Sequence, residues 1–191
     1  MFGLIALLIG LVVIALSMAV LTEGKHASEA LISEAPGSRS REQITILSGS
    51  NVVGACTVLG RVLLGAISQA FAGTGNGTMG TLTRQATFCM AGAWKVRCIQ
   101  AVTNGGVFEV INPEGVMVGT AVVGTAFAKG IGFTIADGST DFIVGDVFTV
   151  TVAVGSLKYA PIDLASVVGL QTAAAVSYEQ VDATSADVAA A

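Results

Sequence analysis

Residues whose types could do chemistry are few in this chain, and they are widely spaced. His26 is the one histidine, so any Ser-His-Asp relay would have to run through it. It sits beside Lys25 in a polar stretch where water competes for its imidazole, and it reads as a solvated side chain. Cys56, Cys89 and Cys98 form no C-x-x-C or other metal-like spacing, and their odd number fits assembly in a reducing cytoplasm. They are expected to be buried, inert thiols, with a Cys89 to Cys98 bridge left open because neighbouring strands bring such residues together. Gly75-Asn76-Gly77-Thr78-Met79-Gly80 matches G-x-G-x-x-G, but a dinucleotide site needs a strand before it and a helix after it. Thr81-Leu82-Thr83-Arg84 is a poor helix start, so the segment reads as a linker. Asn76-Gly77-Thr78 is also a glycosylation sequon, relevant only on a eukaryotic secretory route. Asp137, Asp141 and Asp146 carry the oxygens that a hard cation needs, yet without an EF-hand pattern they read as turn and strand-edge solvation. Trp94 reads as a core residue rather than a ligand platform. No catalytic residue, cofactor or metal is expected.

The elements that would position these residues are strands. The 191 residues include 24 Gly, with abundant Val and Thr and few aromatics, a composition that favours short strands and turns. Formal net charge is -4 and the nine basic residues are scattered, which excludes the concentrated positive footprint of a protein that neutralises many phosphates. No direct contact with nucleic acid is expected.

Gln43-Ile44-Thr45-Ile46 alternates polar with apolar, as a half-buried strand does, and Ser48-Gly49-Ser50-Asn51 supplies turn chemistry before a second strand over Val58 to Val62. Further along, Trp94, Val96 and Cys98 alternate with Lys95 and Arg97. Phe133 and Ile135 lead into an Asp137-Gly138 turn, and Phe148, Val150, Val152 and Val154 share one apolar face opposite Thr149 and Thr151. Strands at intervals of about ten residues, with Gly and Asn between them, predict a small sandwich.

One stretch carries more specific information. Leu21-Thr22-Glu23-Gly24-Lys25-His26-Ala27, then Ser40 to Gly49, then Thr57 to Gly60 resemble the opening of lambda-type bacteriophage head decoration proteins. Lys158-Tyr159-Ala160-Pro161, Gln171-Thr172-Ala173, Tyr178-Glu179 and Val181-Asp182-Ala183-Thr184 resemble the closing elements of the same family. In ordinary members these two groups lie a few residues apart, whereas here a long segment separates them. Part of that segment, over Asn104 to Ala128 and Phe133 to Val152, resembles a sandwich module inserted in some phage structural proteins.

The resemblance implies an all-β fold: a small decoration domain over 42–72 and 157–191, split by an inserted β-sandwich (Ig-like) domain over 73–156 and preceded by a flexible arm over 18–41. Such an insertion is tolerated where its two ends meet at an exposed loop tip. The resemblance further implies binding and stabilisation of an expanded head, on the capsid exterior of a virion assembled in the bacterial cytoplasm. The implied partner is the major capsid protein and the implied state a homotrimer at quasi-threefold positions. Leu21, Thr22, Glu23, Gly24, Lys25, His26, Arg39 and Arg41 of the arm are the implied shell contacts. The insertion would project outward, where it would enlarge the trimer contact, meet carbohydrate or the host surface, or fill space. Family members end in a further apolar strand with an Arg-containing motif, whereas Val188-Ala189-Ala190-Ala191 stands here, so that strand is expected to be missing or replaced.

Residues 1–17 stand apart. The first 22 residues carry no charge except at Met1's amino terminus and have the length and apolarity to cross a bilayer. No Lys or Arg precedes the run, which argues against a secretory signal despite small residues at Ser17 to Ala19. An anchor of this kind would make the chain a membrane-anchored surface or adhesion protein. The family-like opening instead places a start at Met18, and on that reading the Met18-start protein is soluble and functional. Intact mass after native expression checks this: a Met18 product is expected, and a dominant full-length product extracted from membranes would overturn it.

Overall fold

A computed structural model of the chain describes residues 26–27 and 41–190. The apolar run at 1–17 and most of the arm lie outside the described residues. Among the described residues there is no helix, and the chain is all-β.

The strands are β1 (Ile44–Ile46), β2 (Asn51–Val53), β3 (Val58–Arg61), β4 (Leu64–Ala72), β5 (Thr78–Met79), β6 (Thr83–Arg84), β7 (Gly92–Val102), β8 (Gly105–Ile111), β9 (Met117–Val122), β10 (Ala126–Lys129), β11 (Ile131–Ala136), β12 (Val147–Val154), β13 (Tyr159–Pro161), β14 (Ala173–Val176), β15 (Val181–Ala183) and β16 (Val188–Ala190). They build two bodies of sheet, each around its own core.

The first sheet runs β14-β3-β13-β1-β16, with β13 parallel to β1 and antiparallel to β3. Beside it β15 pairs with β2. Ile46, Val53, Leu59, Val181, Ala183 and Ala190 form the core of this body. The family-like opening strands and the family-like closing strands thus share one set of buried side chains. Val188–Ala190 pairs with all three residues of β1 and forms an edge strand of this sheet.

The second body begins with β4. The sequence division counts Leu64 to Ala72 with the first group, yet the strand partners of this segment all lie in β12, from Leu64 opposite Val154 to Ala72 opposite Val147. A five-stranded antiparallel sheet, β4-β12-β7-β8-β9, is accompanied by a smaller one, β10-β11-β5, with β6 also on β11. Side chains close the gap between β4 and the smaller sheet: Gln69 donates to the carbonyl of Met79 at 3.0 Å, and Arg84 donates to the carbonyl of Gly65. The strand edge that β4 would otherwise leave open is partly covered by these bonds.

Burial follows the alternation expected from the sequence. Trp94, Val96, Cys98, Phe148, Val150 and Val152 all point into the core, and the Trp94 indole N–H is satisfied by the carbonyl of Met90 at 3.1 Å. Val154 departs from the pattern, because a register irregularity after Val152 turns it outward, and it is 64% exposed. All three cysteines are free thiols, and only Cys98 is fully buried; Cys56 and Cys89 are half-buried. Burial pushes the Cys89 and Cys98 thiols up, which keeps them protonated and unreactive at neutral pH.

The two bodies are joined by a pair of chain segments running side by side. Gly155 N–H donates to Leu63 O at 2.8 Å, Leu157 N–H to Val62 O at 2.9 Å and Val62 N–H to Lys158 O at 2.9 Å. Leu63 and Leu64 both donate to Val168 O, at 2.8 and 3.0 Å. The chain therefore leaves the first sheet and returns to it one hydrogen bond apart. Gly155 is needed here for close approach, since a Cβ would fall 2.4 Å from the carbonyl of Val62.

At the far end of the second body, the residues flagged by the sequence have structural work. Asp137-Gly138 does not make a tight turn; it opens a loop that runs to Asp146 and tucks Phe142 into the core at 1% exposure. The Phe142 ring meets Phe108 edge-on at a centroid separation of 5.0 Å, and also packs on Phe71 and Phe148. Gly75 and Gly77 make room for this ring, since a Cβ on either would collide with it. The Asp146 carboxylate then holds the glycine loop, accepting from Thr74 N–H at 2.9 Å, Gly75 N–H at 3.0 Å and Ile143 N–H at 3.1 Å. Asn76 fastens the same loop to Ser139 and Thr140. The segment read as a linker is thus a fixed loop whose last two positions before Gly80 form β5, and the G-x-G spacing serves aromatic packing.

Burial alone would push the Asp146 carboxyl up; the three backbone N–H groups outweigh it and hold it below the ordinary carboxylate range. Asp187 is likewise held low, by Lys158 and by the N–H of Ser48. A carboxylate with a depressed folded pKa contributes stability above its unfolded pKa, about 4, and loses it as pH falls through the folded value. Stability is therefore expected to be flat above about pH 5 and to fall below about pH 4, and Asp146→Asn should lessen that acid sensitivity. At neutral pH Asp146→Ala strands buried donors and should cost about 2–4 kcal/mol. Phe142→Ala should cost about 3–5 kcal/mol through the cavity it leaves. Chemical denaturation across pH checks all of these; an Asp146→Ala protein as stable as the parent would contradict the role given to the carboxylate.

Candidate binding face of the first sheet

β1 enters the first sheet between β13 and the edge strand β16, so the segment before it is anchored inside the sheet, one strand from its edge. Arg41 marks that anchor. Its guanidinium lies 3.9 Å from the centroid of the Tyr178 ring, a cation–π contact of the kind that contributes about 0.5–1 kcal/mol at an exposed site. Tyr178 is held in turn by Ser177, which is 2% exposed. The Ser177 hydroxyl accepts from Thr57 N–H at 2.9 Å and donates to Gly54 O at 2.7 Å. Its backbone exchanges bonds with Cys56 and Thr57, the Cys56 N–H donating at 2.8 Å and the Thr57 carbonyl accepting at 2.9 Å. This knot ties the 54–57 turn, where Cys56 has a φ of 59°, to the end of β14.

β14 is an outer strand of the sheet, and exposed aliphatic side chains gather beside it. Val176 pairs with Val58, and Ile162 N–H donates to Val58 O at 3.1 Å; all three side chains are exposed, and Leu164, two residues further on, is 82% exposed. An open strand edge beside an aliphatic group is a surface built for association. Opposite it, Lys158 pairs with Asp187, whose other carboxylate oxygen accepts from Ser48 N–H at 2.9 Å, which fastens the turn after β1.

Of the residues implied as shell contacts, Arg41 is placed by the Tyr178 stack and His26 is exposed. Leu21, Thr22, Glu23, Gly24, Lys25 and Arg39 lie outside the described residues. Tyr178 and Ser177 escaped notice in the sequence except as parts of a Tyr-Glu element; a polar residue directly before an aromatic, beyond the last apolar position of a strand, was the available signal. Asp137, Asp141 and Asp146 do not converge, since Asp141 accepts from Asn104 N–H at 3.0 Å while Asp146 holds the glycine loop. No group of three or more metal-ligating side chains occurs among the described residues. No helix among them is long and apolar enough to cross a membrane.

Two crystal structures of Xanthomonas campestris FlgL align at 19% identity with TM-scores of 0.37 and 0.36, covering 56% and 52% of this chain. The aligned parts span 34% and 33% of the FlgL chains, about a third of their length. A search of the curated proteins found no match. The family model described as bacteriophage lambda head decoration protein D matches residues 20–191, which takes in both groups of strands in the first sheet and everything between them. That family is one of structural proteins of the phage capsid and not of enzymes, and this chain belongs to it.

Proposed function

We propose that the chain stabilises an expanded phage head by binding its shell as a trimer at quasi-threefold positions, with the N-terminal arm as the principal contact. The observation that carries this reading is the match over residues 20–191, joined to an arm root fixed on the sheet by Arg41 and Tyr178. A ligand that prefers the expanded, assembled shell shifts the equilibrium toward that state by its differential affinity, so binding without turnover is the whole mechanism. An extended arm can add a strand to an exposed edge of the shell and gain main-chain hydrogen bonds. The aliphatic group at Val58, Ile162 and Val176 is the surface we assign to contact between copies. The arm residues Leu21 to His26, with Arg39, are the proposed shell contacts.

We also propose that Leu64 to Gly155 is a second domain, inserted in the decoration domain and projecting away from the shell. The separate cores and the adjacent chain ends support this division. Joining Leu63 to Ser156 through a short Gly/Ser linker is expected to leave a first domain that unfolds cooperatively. Loss of cooperative unfolding in that deletion would show one integrated domain.

Removing residues 18–40, which keeps Arg41 on Tyr178, should weaken head binding far more than folding or self-association. A few hydrogen bonds at about 0.5–1.5 kcal/mol net each amount to tenfold or more in affinity, since about 1.4 kcal/mol is a factor of ten. Co-sedimentation with expanded, undecorated heads checks this, with thermal unfolding and size-exclusion as controls. Undiminished binding by a folded armless protein would remove the arm as principal contact.

A further inference from the structure

The end of the second body farthest from the junction carries an exposed aliphatic surface that neither core uses. β12 starts at this end and finishes beside Leu64, while β7 runs the opposite way and finishes here. Two loops meet at the tip, the 137–146 loop and the β7–β8 turn. Gly145 N–H donates to Cys98 O at 3.0 Å and Cys98 N–H to Asp146 O at 2.8 Å, which sets the 143–146 segment against β7. Asn104 N–H donates to the Asp141 carboxylate at 3.0 Å, which ties the β7–β8 turn to the same loop. Ile99 sits at a register irregularity between Cys98 and Gln100, and an irregularity of this kind re-aims a side chain. Ile99, Val102, Ile143 and Val144 are 41%, 46%, 49% and 64% exposed.

The charge around these side chains has one sign. Residues 99–106 and 137–146 contain no Lys, Arg or His and three aspartates, of which Asp146 is buried against the glycine loop while Asp137 and Asp141 are partly exposed; Arg97, earlier on β7, is paired with Glu109. The aromatic rings of these loops are absent from the surface, because Phe142 is buried; a sugar would therefore find no ring on which to stack. An anionic lipid surface would meet aspartates where basic residues are required.

We propose that this tip is a protein-docking surface whose partner presents an aliphatic patch rimmed by Lys or Arg. Apolar contact supplies the affinity, and the partly exposed Asp137 and Asp141 bias orientation and encounter. The proposal rests on the reading that the second body projects outward, but its test uses the free chain, so that its failure is distinguishable from failure of head binding.

The probe is an amphipathic Leu/Lys peptide titrated into isotopically labelled full-length chain, with a Leu/Glu peptide of equal length, and vesicles of phosphatidylcholine with and without phosphatidylglycerol, in parallel. Saturable amide shifts confined to the tip loops with the Leu/Lys peptide are expected, with affinity reduced about tenfold by Ile143→Ser with Val144→Ser and several-fold by Asp141→Asn or by high salt. Asp141→Asn keeps the acceptor for Asn104, and the serine positions are exposed, so thermal unfolding should be unchanged in both variants. Absence of Leu/Lys binding, equal binding of the two peptides, shifts centred elsewhere, preferential binding to either vesicle, or insensitivity to these substitutions would each overturn the proposal.

Discussion

The first sheet depends on a strand that arrives late. β1 and β3 do not pair with one another; β13 lies between them, parallel to the first and antiparallel to the second. The core around Ile46 and Leu59 cannot close until the chain has travelled through the whole second body and returned. If that intervening segment were a floppy loop, closing it would cost conformational entropy that grows with its length. The folded second body removes much of this cost by holding Leu63 and Gly155 in hydrogen-bond contact. Long-range pairing of this sort also makes slow folding the expectation, because non-local strands must find each other before they gain stability.

The same constraint explains the pattern of tight packing at the junction. Backbone approaches backbone across Val62, Leu63, Gly155 and Val168, and glycine is required where a side chain would collide with a carbonyl. At the opposite end the problem is different: the sheets must be closed over their aromatic core without leaving loop N–H groups unsatisfied. Phe142 fills the apolar part of that end, and Asp146 satisfies the polar part with three bonds from one carboxylate. One acidic residue, whose carboxyl the three N–H groups hold below the ordinary range, is thereby expected to make the closure sensitive to acid.

Much of this was legible in the sequence, and the reasons for what was not are physical. Strict alternation at Trp94 to Cys98 and at Phe148 to Val152 revealed half-buried strands, because side chains two apart share a face. The family-like pieces on either side of a long segment revealed that the opening and closing strands belong together. The irregularity after Val152 was invisible, since a one-residue shift leaves the apolar alternation intact on paper. β4 was hidden for the opposite reason: Leu64-Gly65-Ala66-Ile67-Ser68-Gln69-Ala70 has small residues where a strong pattern would have apolar ones, and its membership is decided by pairing with β12. The roles of Ser177, Tyr178 and Phe142 arise from contacts between residues far apart in the chain, which local spacing does not encode.

The central claim is that the two-part sheet seats on a phage shell while the second body stands away from it. A cryo-EM reconstruction of expanded heads saturated with the protein tests this most directly. The account predicts threefold-related density in which the first sheet and the root of its arm contact the shell, with a second lobe farther out and its Ile143–Val144 tip distal. Ordered density with the second lobe against the shell and the first sheet facing solvent, or saturated heads without ordered added density, would contradict it.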